Sequence, residues 1–155
     1  MDQVVAPEMY IVARLNVHGT DEVELPAMVE ATHHLMMCGF NVTYALTTCR
    51  EIALLFDLYE SSFNRKTNKY ISILASEGSA RLTHVIGEPV VVDCRTVALP
   101  SKPLVVDYFN WRAGHSETSL RAWSYWKNQA DGRRELVTID NAEVIAAYDE
   151  AMMNI

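Results

Sequence analysis

Two runs of β-forming residues, 40–46 (FNVTYAL) and 52–56 (IALLF), are separated only by the turn-like stretch 47–50 (TTCR). So short a link leaves no room for a crossover, because parallel strands need a dozen or more connecting residues. The two runs are expected to pair as an antiparallel hairpin, and whatever precedes and follows must be built around it. Upstream lies another apolar run, 9–15 (MYIVARL), read as a buried strand. Between the two, Leu25, Met28, Val29, Leu35 and Met36 recur at helical spacing, and Gly39 follows as a stop.

Downstream of the hairpin, Phe63, Thr67, Tyr70, Ile71, Leu74, Gly78, Leu82 and Val85 mark one face of a long helix ending near Gly87. Pro89 cannot extend it. Residues 90–98 (VVVDCRTVA) read as a fourth strand. The order is strand, helix, strand, strand, helix, strand. That is the ferredoxin-like arrangement, an α+β fold with an antiparallel sheet and helices on one face. Pro100 and Ser101 open a further helix with Leu104, Val105, Tyr108 and Phe109 on its apolar face, expected to run to Trp126. Residues 129–134, with Asp131-Gly132, read as a loop, and Val144, Ile145, Tyr148 and Met152 suggest a final short helix.

The length, 155 residues, suits one domain over 1–155 with a sizeable core. Half of the residues are hydrophobic, which fits a folded chain rather than a disordered one. The net charge of −7 argues against a general nucleic-acid coat, because binding phosphates without sequence preference needs a positive surface. It does not exclude a local basic pocket. Cys38, Cys49 and Cys94 are odd in number and form no CxxC pair, so neither a disulfide framework nor a zinc knuckle is indicated, and a reducing cytoplasm is expected. The N-terminal MDQVVAPEMY has no signal-peptide pattern, and no apolar stretch approaches a membrane span.

Four segments, in order, carry a family resemblance. They are ARLNVHG (13–19), TTCREIALLF (47–56), FNRKTNKYISILASEGSA (63–80) and VVDCRTVALPSKPLVVDYFNWR (91–112). They resemble, respectively, the RLDGRG strand end, the TQSDEISLLF-like turn and strand, the RK-rich helix, and the FDCR…LPS…VVDY…WR stretch of the tRNA-His guanylyltransferase family. These are reverse, 3′-to-5′ nucleotide polymerases, and the fold implied is a polymerase-type palm. The resemblance further implies two metal ions held by acidic side chains at the end of the first strand and in the hairpin turn, which activate the attacking oxygen and stabilise the leaving one.

This chain departs from that pattern where the chemistry sits. The first acid corresponds to Asn16 and the second to Arg50; only Glu51 keeps acidic character, as a weak metal candidate. A cation in place of a metal ligand repels a divalent ion. After the WR, the family's HINN-type segment is replaced by AGHSETSLRAW, with His115 as its remnant. The basic positions survive: Arg14, Arg65, Lys66, Lys69, Arg95 and Arg112 fall where the family is basic, several of them linked to triphosphate binding, and Arg50 adds a further cation. Arginine and lysine suit phosphate because each offers several charged donors.

The expected phosphate or nucleotide set is therefore Arg14, Asn16, Arg50, Arg65, Lys66, Lys69, Arg95, Arg112 and His115, with no catalytic residue and no cofactor. The expected function is a catalytically degenerate guanylyltransferase-like protein, a homo-oligomer, that binds a nucleotide or cyclic oligonucleotide without turnover and so sequesters a nucleotide immune signal. Two alternatives stay open. One is an active magnesium-dependent enzyme adding nucleotides to tRNA. The other is a protein-interaction subunit using a methionine-rich surface (Met28, Met36, Met37, Met152, Met153). Plainer readings stand beside these. Arg65, Lys66 and Lys69 could be a solvated helix face, Trp111-Arg112 a packing pair, Glu51 a carboxylate paired with an arginine, and His33, His34 and Cys49 structural.

Overall fold

A computed structural model of the chain describes residues 3–19, 23–114 and 121–140. The elements are β1 (Tyr10–His18), α1 (Leu25–Met37), β2 (Val42–Thr48), β3 (Glu51–Phe56), a 3-10 turn (Ser62–Arg65), α2 (Thr67–Ile86), β4 (Val91–Leu99), α3 (Lys102–Gly114), β5 (Arg121–Asn128) and β6 (Arg134–Asp140). The six strands form one sheet in the order β4-β1-β3-β2-β5-β6, antiparallel throughout. The expected hairpin is β2–β3, with Thr47 opposite Ile52. β3 lies between β1 and β2, and β1 lies between β3 and β4. Two split βαβ units thus interlock, which is the ferredoxin-like order.

Alternation along each strand sends neighbouring side chains to opposite faces, and here both faces are covered. On one, Ile11, Ala13, Leu15 and Val17 of β1 pack with Met28 and Leu35 of α1 and Leu74 and Leu82 of α2. Gly78 allows α2 to approach: a Cβ there would lie 3.1 Å from Leu15 Cδ2. The helix ends at Gly87, whose φ of 84° suits a residue without a Cβ, and its N–H closes on Thr83 O at 2.9 Å. On the other face, Tyr10, Val12, Tyr44, Leu46, Ala53 and Leu55 pack with Val105 and Phe109 of α3 and with Trp123. The two helices of the interlocked units therefore share one face, while α3 covers the opposite one.

Two details differ from the sequence-based reading. The helix expected to reach Trp126 stops at Gly114, and Arg121–Asn128 is a strand. Its residues alternate, with buried Ala122 and Ser124 on one face and Trp123 and Tyr125 towards the other. They complete the hydrogen bonding of β2, which would otherwise be an open edge. The α2 helix begins at Thr67, because Phe63, Asn64 and Arg65 adopt left-handed dihedrals (φ 54°, 53° and 59°) that a right-handed helix cannot contain. The loop expected at 129–134 is the β5–β6 turn. The final helix expected around Val144 lies outside the described residues.

Candidate functional site

Strand register builds the site. Asn16 on β1 stands opposite Glu51 on β3 and opposite Asp93 on β4. Residues directly opposite on antiparallel strands point to the same face, so Asp93, Asn16 and Glu51 form a row on the α3 side of the sheet. One step further along, Arg14 stands opposite Arg95. The rows beyond, Val12 with Val97 and Leu55, return to the apolar core. Polar chemistry is thus confined to one end of this face, the end nearest the β2–β3 turn.

α3 closes over this end. Arg112 Nε donates to Glu51 Oε1 at 2.9 Å and its Nη2 to Glu51 Oε2, a forked pair in which both side chains are largely buried (12% and 14% exposed). Those bonds push the Arg112 pKa up from its already high ordinary value. The guanidinium also lies 4.7 Å from the centre of the Trp111 ring. At the other end of the row, His18 Nε2 meets Asp93 Oδ2 at 2.8 Å. Burial pushes the Asp93 carboxyl upward, but the His18 hydrogen bond, the neighbouring Asn16 side chain and the His18 and Arg95 charges together hold it below its ordinary range.

The middle of the row is unsatisfied. Arg14 Nε, the Tyr108 hydroxyl and Asp93 Oδ1 are buried, and none has a hydrogen-bond partner among the described residues. Burial raises the Tyr108 pKa, with Arg14 opposing it, so the two groups are neighbours. Buried polar atoms are normally paired, and like charges directly across two strands are unfavourable. Arg14, Arg95 and these orphaned atoms together offer charged donors and an acceptor at one end of the sheet.

Of the residues expected from sequence, the fold brings together Arg14, Asn16, Glu51, Arg95 and Arg112. Arg50 is exposed at the β2–β3 turn, and its carbonyl accepts from Val17 N at 2.9 Å, which anchors the turn beside Asn16. Arg65, Lys66 and Lys69 depart from the expectation. Arg65 is buried and donates to the carbonyls of Val5 (3.2 Å), Leu58 (3.1 Å), Glu60 (2.7 Å) and Met9, so its donors are taken up in holding the left-handed turn to the N-terminal segment. Met9 precedes β1, and Asn16 lies near its far end, about 20 Å along the strand. Lys66 and the exposed Lys69, at the start of α2, are with Arg65 at that opposite end. His115 lies outside the described residues.

Sequence reasoning missed Asp93, His18 and Tyr108. Alternation in VVDCRT could have put Asp93 and Arg95 on one face, but their alignment with Asn16 and Arg14 depends on register. The two histidines read as structural are held in place: His34 bridges Glu77 (2.7 Å) and Arg81 (3.1 Å), and His33 meets Thr138 at 2.6 Å. Burial pushes the Cys94 thiol up to about 12, beyond reactive use.

As placed, these side chains alone do not close the shell of a magnesium pair. Magnesium needs a close shell of oxygens at about 2.1 Å, whereas Asp93 and Glu51 stand two strand spacings apart, about 10 Å. Both oxygens of Glu51 already face Arg112. No group of three acidic, histidine or cysteine side chains able to hold an ion occurs among the described residues.

A sequence profile for tRNAHis guanylyltransferase matches residues 18–102. No curated protein matches the sequence. Among solved structures, the chain is similar to a bacterial tRNA(His) guanylyltransferase-like protein in complex with GTP, with a TM-score of 0.77 and 14% identity over 98% of this chain and 91% of that one. It is similar to such a bacterial protein in complex with ATP, with a TM-score of 0.73 and 14% identity over 98% and 92%. It is also similar to the tRNA(His) guanylyltransferase of Saccharomyces cerevisiae, with a TM-score of 0.65 and 18% identity over 74% of this chain and 61% of that one. At these identities the likeness concerns the palm-type fold.

Proposed function

This chain belongs to the tRNAHis guanylyltransferase family, and from that premise we propose that it binds a nucleotide or short oligonucleotide at the Arg14–Arg95 row without turning it over. The observation that carries this reading is the forked Glu51–Arg112 pair beside Arg14 and Arg95, which stand opposite one another on β1 and β4. The Glu51 carboxylate is neutralised from within the chain, while Arg95 stays exposed and Arg14 Nε has no partner among the described residues. Arg14, Arg95 and, at the rim, Arg50 donate to phosphate oxygens. Asp93 Oδ1 accepts from a ribose hydroxyl or a base amino group, which favours a nucleotide over a bare anion. The bacterial relatives described with GTP and ATP support the ligand class.

The test is thermal unfolding against GTP, ATP, linear dinucleotides and cyclic di- and trinucleotides, each with and without magnesium. A ligand at a hundred times its Kd stabilises the folded state by about 2.7 kcal/mol. We expect a shift that needs no magnesium and disappears in Arg95→Glu. A preference for a cyclic oligonucleotide would support sequestration of a nucleotide signal, the finer form of the proposal. A well-folded protein that responds to none of these ligands would end the reading.

One observation favours a second reading, retained catalysis. Asp93, Asn16 and Glu51 still align as a row of oxygen-bearing side chains. Magnesium-dependent transfer of labelled GTP to the 5′ end of tRNA, lost in Glu51→Ala, would establish it in place of the first.

A further inference from the structure

The end of the sheet away from the Asp93–Glu51 row holds a cavity of about 810 Å³, between the start of α3, the segment after β3 and the β5–β6 hairpin. Its chemistry has two parts. Aromatic rings line it: Tyr59, which is 85% exposed, Tyr125 and Trp126. Cations from three separate elements surround them: Lys102 from α3, Lys127 from β5 and Arg134 from β6. Among the described residues no carboxylate forms an ion pair with any of the three cations. The single acidic group in the lining, Asp57, accepts from Tyr59 N at 2.8 Å.

The rings are held in position. Trp126 Nε1 donates to Val42 O at 2.9 Å, and the Arg134 guanidinium lies 4.8 Å from the centre of the Trp126 ring. A stacked guanidinium retains donors for phosphate while its face is covered. Asn41 and Asn128, also in the lining, offer amide donors and acceptors.

We propose that this cavity is a second binding site, for a short single-stranded nucleic acid whose bases stack on Tyr59 and Tyr125 while its phosphates meet Lys102, Lys127 and the Arg134 that Trp126 holds. Single strands are bound by this combination of stacking rings and flanking cations. A duplex does not suit the cavity, because its bases are already stacked and only its phosphate rails are offered. An acidic peptide would answer the cations but leave the exposed rings unused. The volume exceeds what one base fills and lies within the range of small-ligand pockets. The proposal stands apart from the phosphate row, which lies at the other end of β1.

Fluorescence anisotropy of the full chain with a short fluorescein-labelled oligothymidylate, at low ionic strength, tests it. We expect saturable binding that weakens as salt rises. Combined Lys127→Glu and Arg134→Glu should weaken it roughly tenfold or more. Tyr59→Ala, at a side chain too exposed to affect folding, should weaken it roughly fivefold or more, as loss of one stacked base does. Arg95→Glu removes any binding at the Arg14–Arg95 row and should leave the component that depends on Lys127 and Arg134 within about twofold, as distant sites act independently. Three results would overturn the proposal: no binding by the wild type, equal binding of a duplex of the same length, or loss of binding in Arg95→Glu with none in the far-end variants.

Discussion

Arg112 forms with Glu51 an ion pair that the fold keeps largely out of water. Its fork occupies both oxygens of Glu51 in a largely buried pocket. Removing one member of such a pair leaves the other charged and unpaired, which costs about 3 kcal/mol or more. Arg112→Ala should therefore lower stability by about that amount in urea unfolding, and Arg112→Met combined with Glu51→Leu should recover most of it. If the double variant were no more stable than Arg112→Ala, the unpaired Glu51 charge would not be the source of the cost. Glu60 gives a second residue-scale expectation. Burial pushes its carboxyl upward, but hydrogen bonds at Ser62 and from Asn41 N, together with the Arg65 charge, hold it below its ordinary value. A carboxyl lowered on folding adds stability above its unfolded pKa and loses it as pH falls through the folded value. Acid titration followed by hydrogen exchange should find the 57–66 segment loosening below the ordinary carboxylate range, and Glu60→Gln should remove that pH dependence.

At the scale of elements, the α2–β1 contact depends on an absent side chain. Alanine at Gly78 would gain up to about 1 kcal/mol of helix propensity but press on Leu15 at 3.1 Å, so its net effect should be small. Gly78→Val adds branched bulk against a buried neighbour and should cost about 2–3 kcal/mol, read as a fall in Tm. β5 teaches a related lesson. RAWSYWKN carries aromatics that suit either a helix face or a strand, and the local sequence does not choose between them. The open edge of β2 does, because its unpaired hydrogen-bonding groups are satisfied only by a neighbouring strand. The left-handed turn at 63–65 was equally hidden: local propensity disfavours it, and it is held by Arg65 bonds to carbonyls as far away as Val5.

For the molecule as a whole, the charge is −7 while the candidate row is locally positive. Binding there works against the average field, so the proposed nucleotide affinity should depend on ionic strength as well as on ligand. Raising salt from about 0.05 to 0.2 M shortens the screening length from roughly 14 to 7 Å and should reduce the thermal shift given by GTP or a cyclic dinucleotide. Magnesium should leave that shift unchanged beyond its contribution to ionic strength. No described helix is long and apolar enough to cross a membrane.

The sequence by itself determined the order of the first six elements, the hairpin and its turn, and the family, because hydrophobic period, turn residues and contiguous motifs are local properties of the chain. It also singled out Arg14, Asn16, Glu51, Arg95 and Arg112 as candidates, since each sits in a motif. The tertiary structure alone decided which of these meet. Register set Asp93 beside Asn16 and Arg95 beside Arg14; the path of α3 brought Arg112 to Glu51; and the turn before α2 carried Arg65, Lys66 and Lys69 to the opposite end. A motif records which residues are adjacent along the chain. Pairing between strands distant in sequence is a long-range interaction, and no local pattern specifies it.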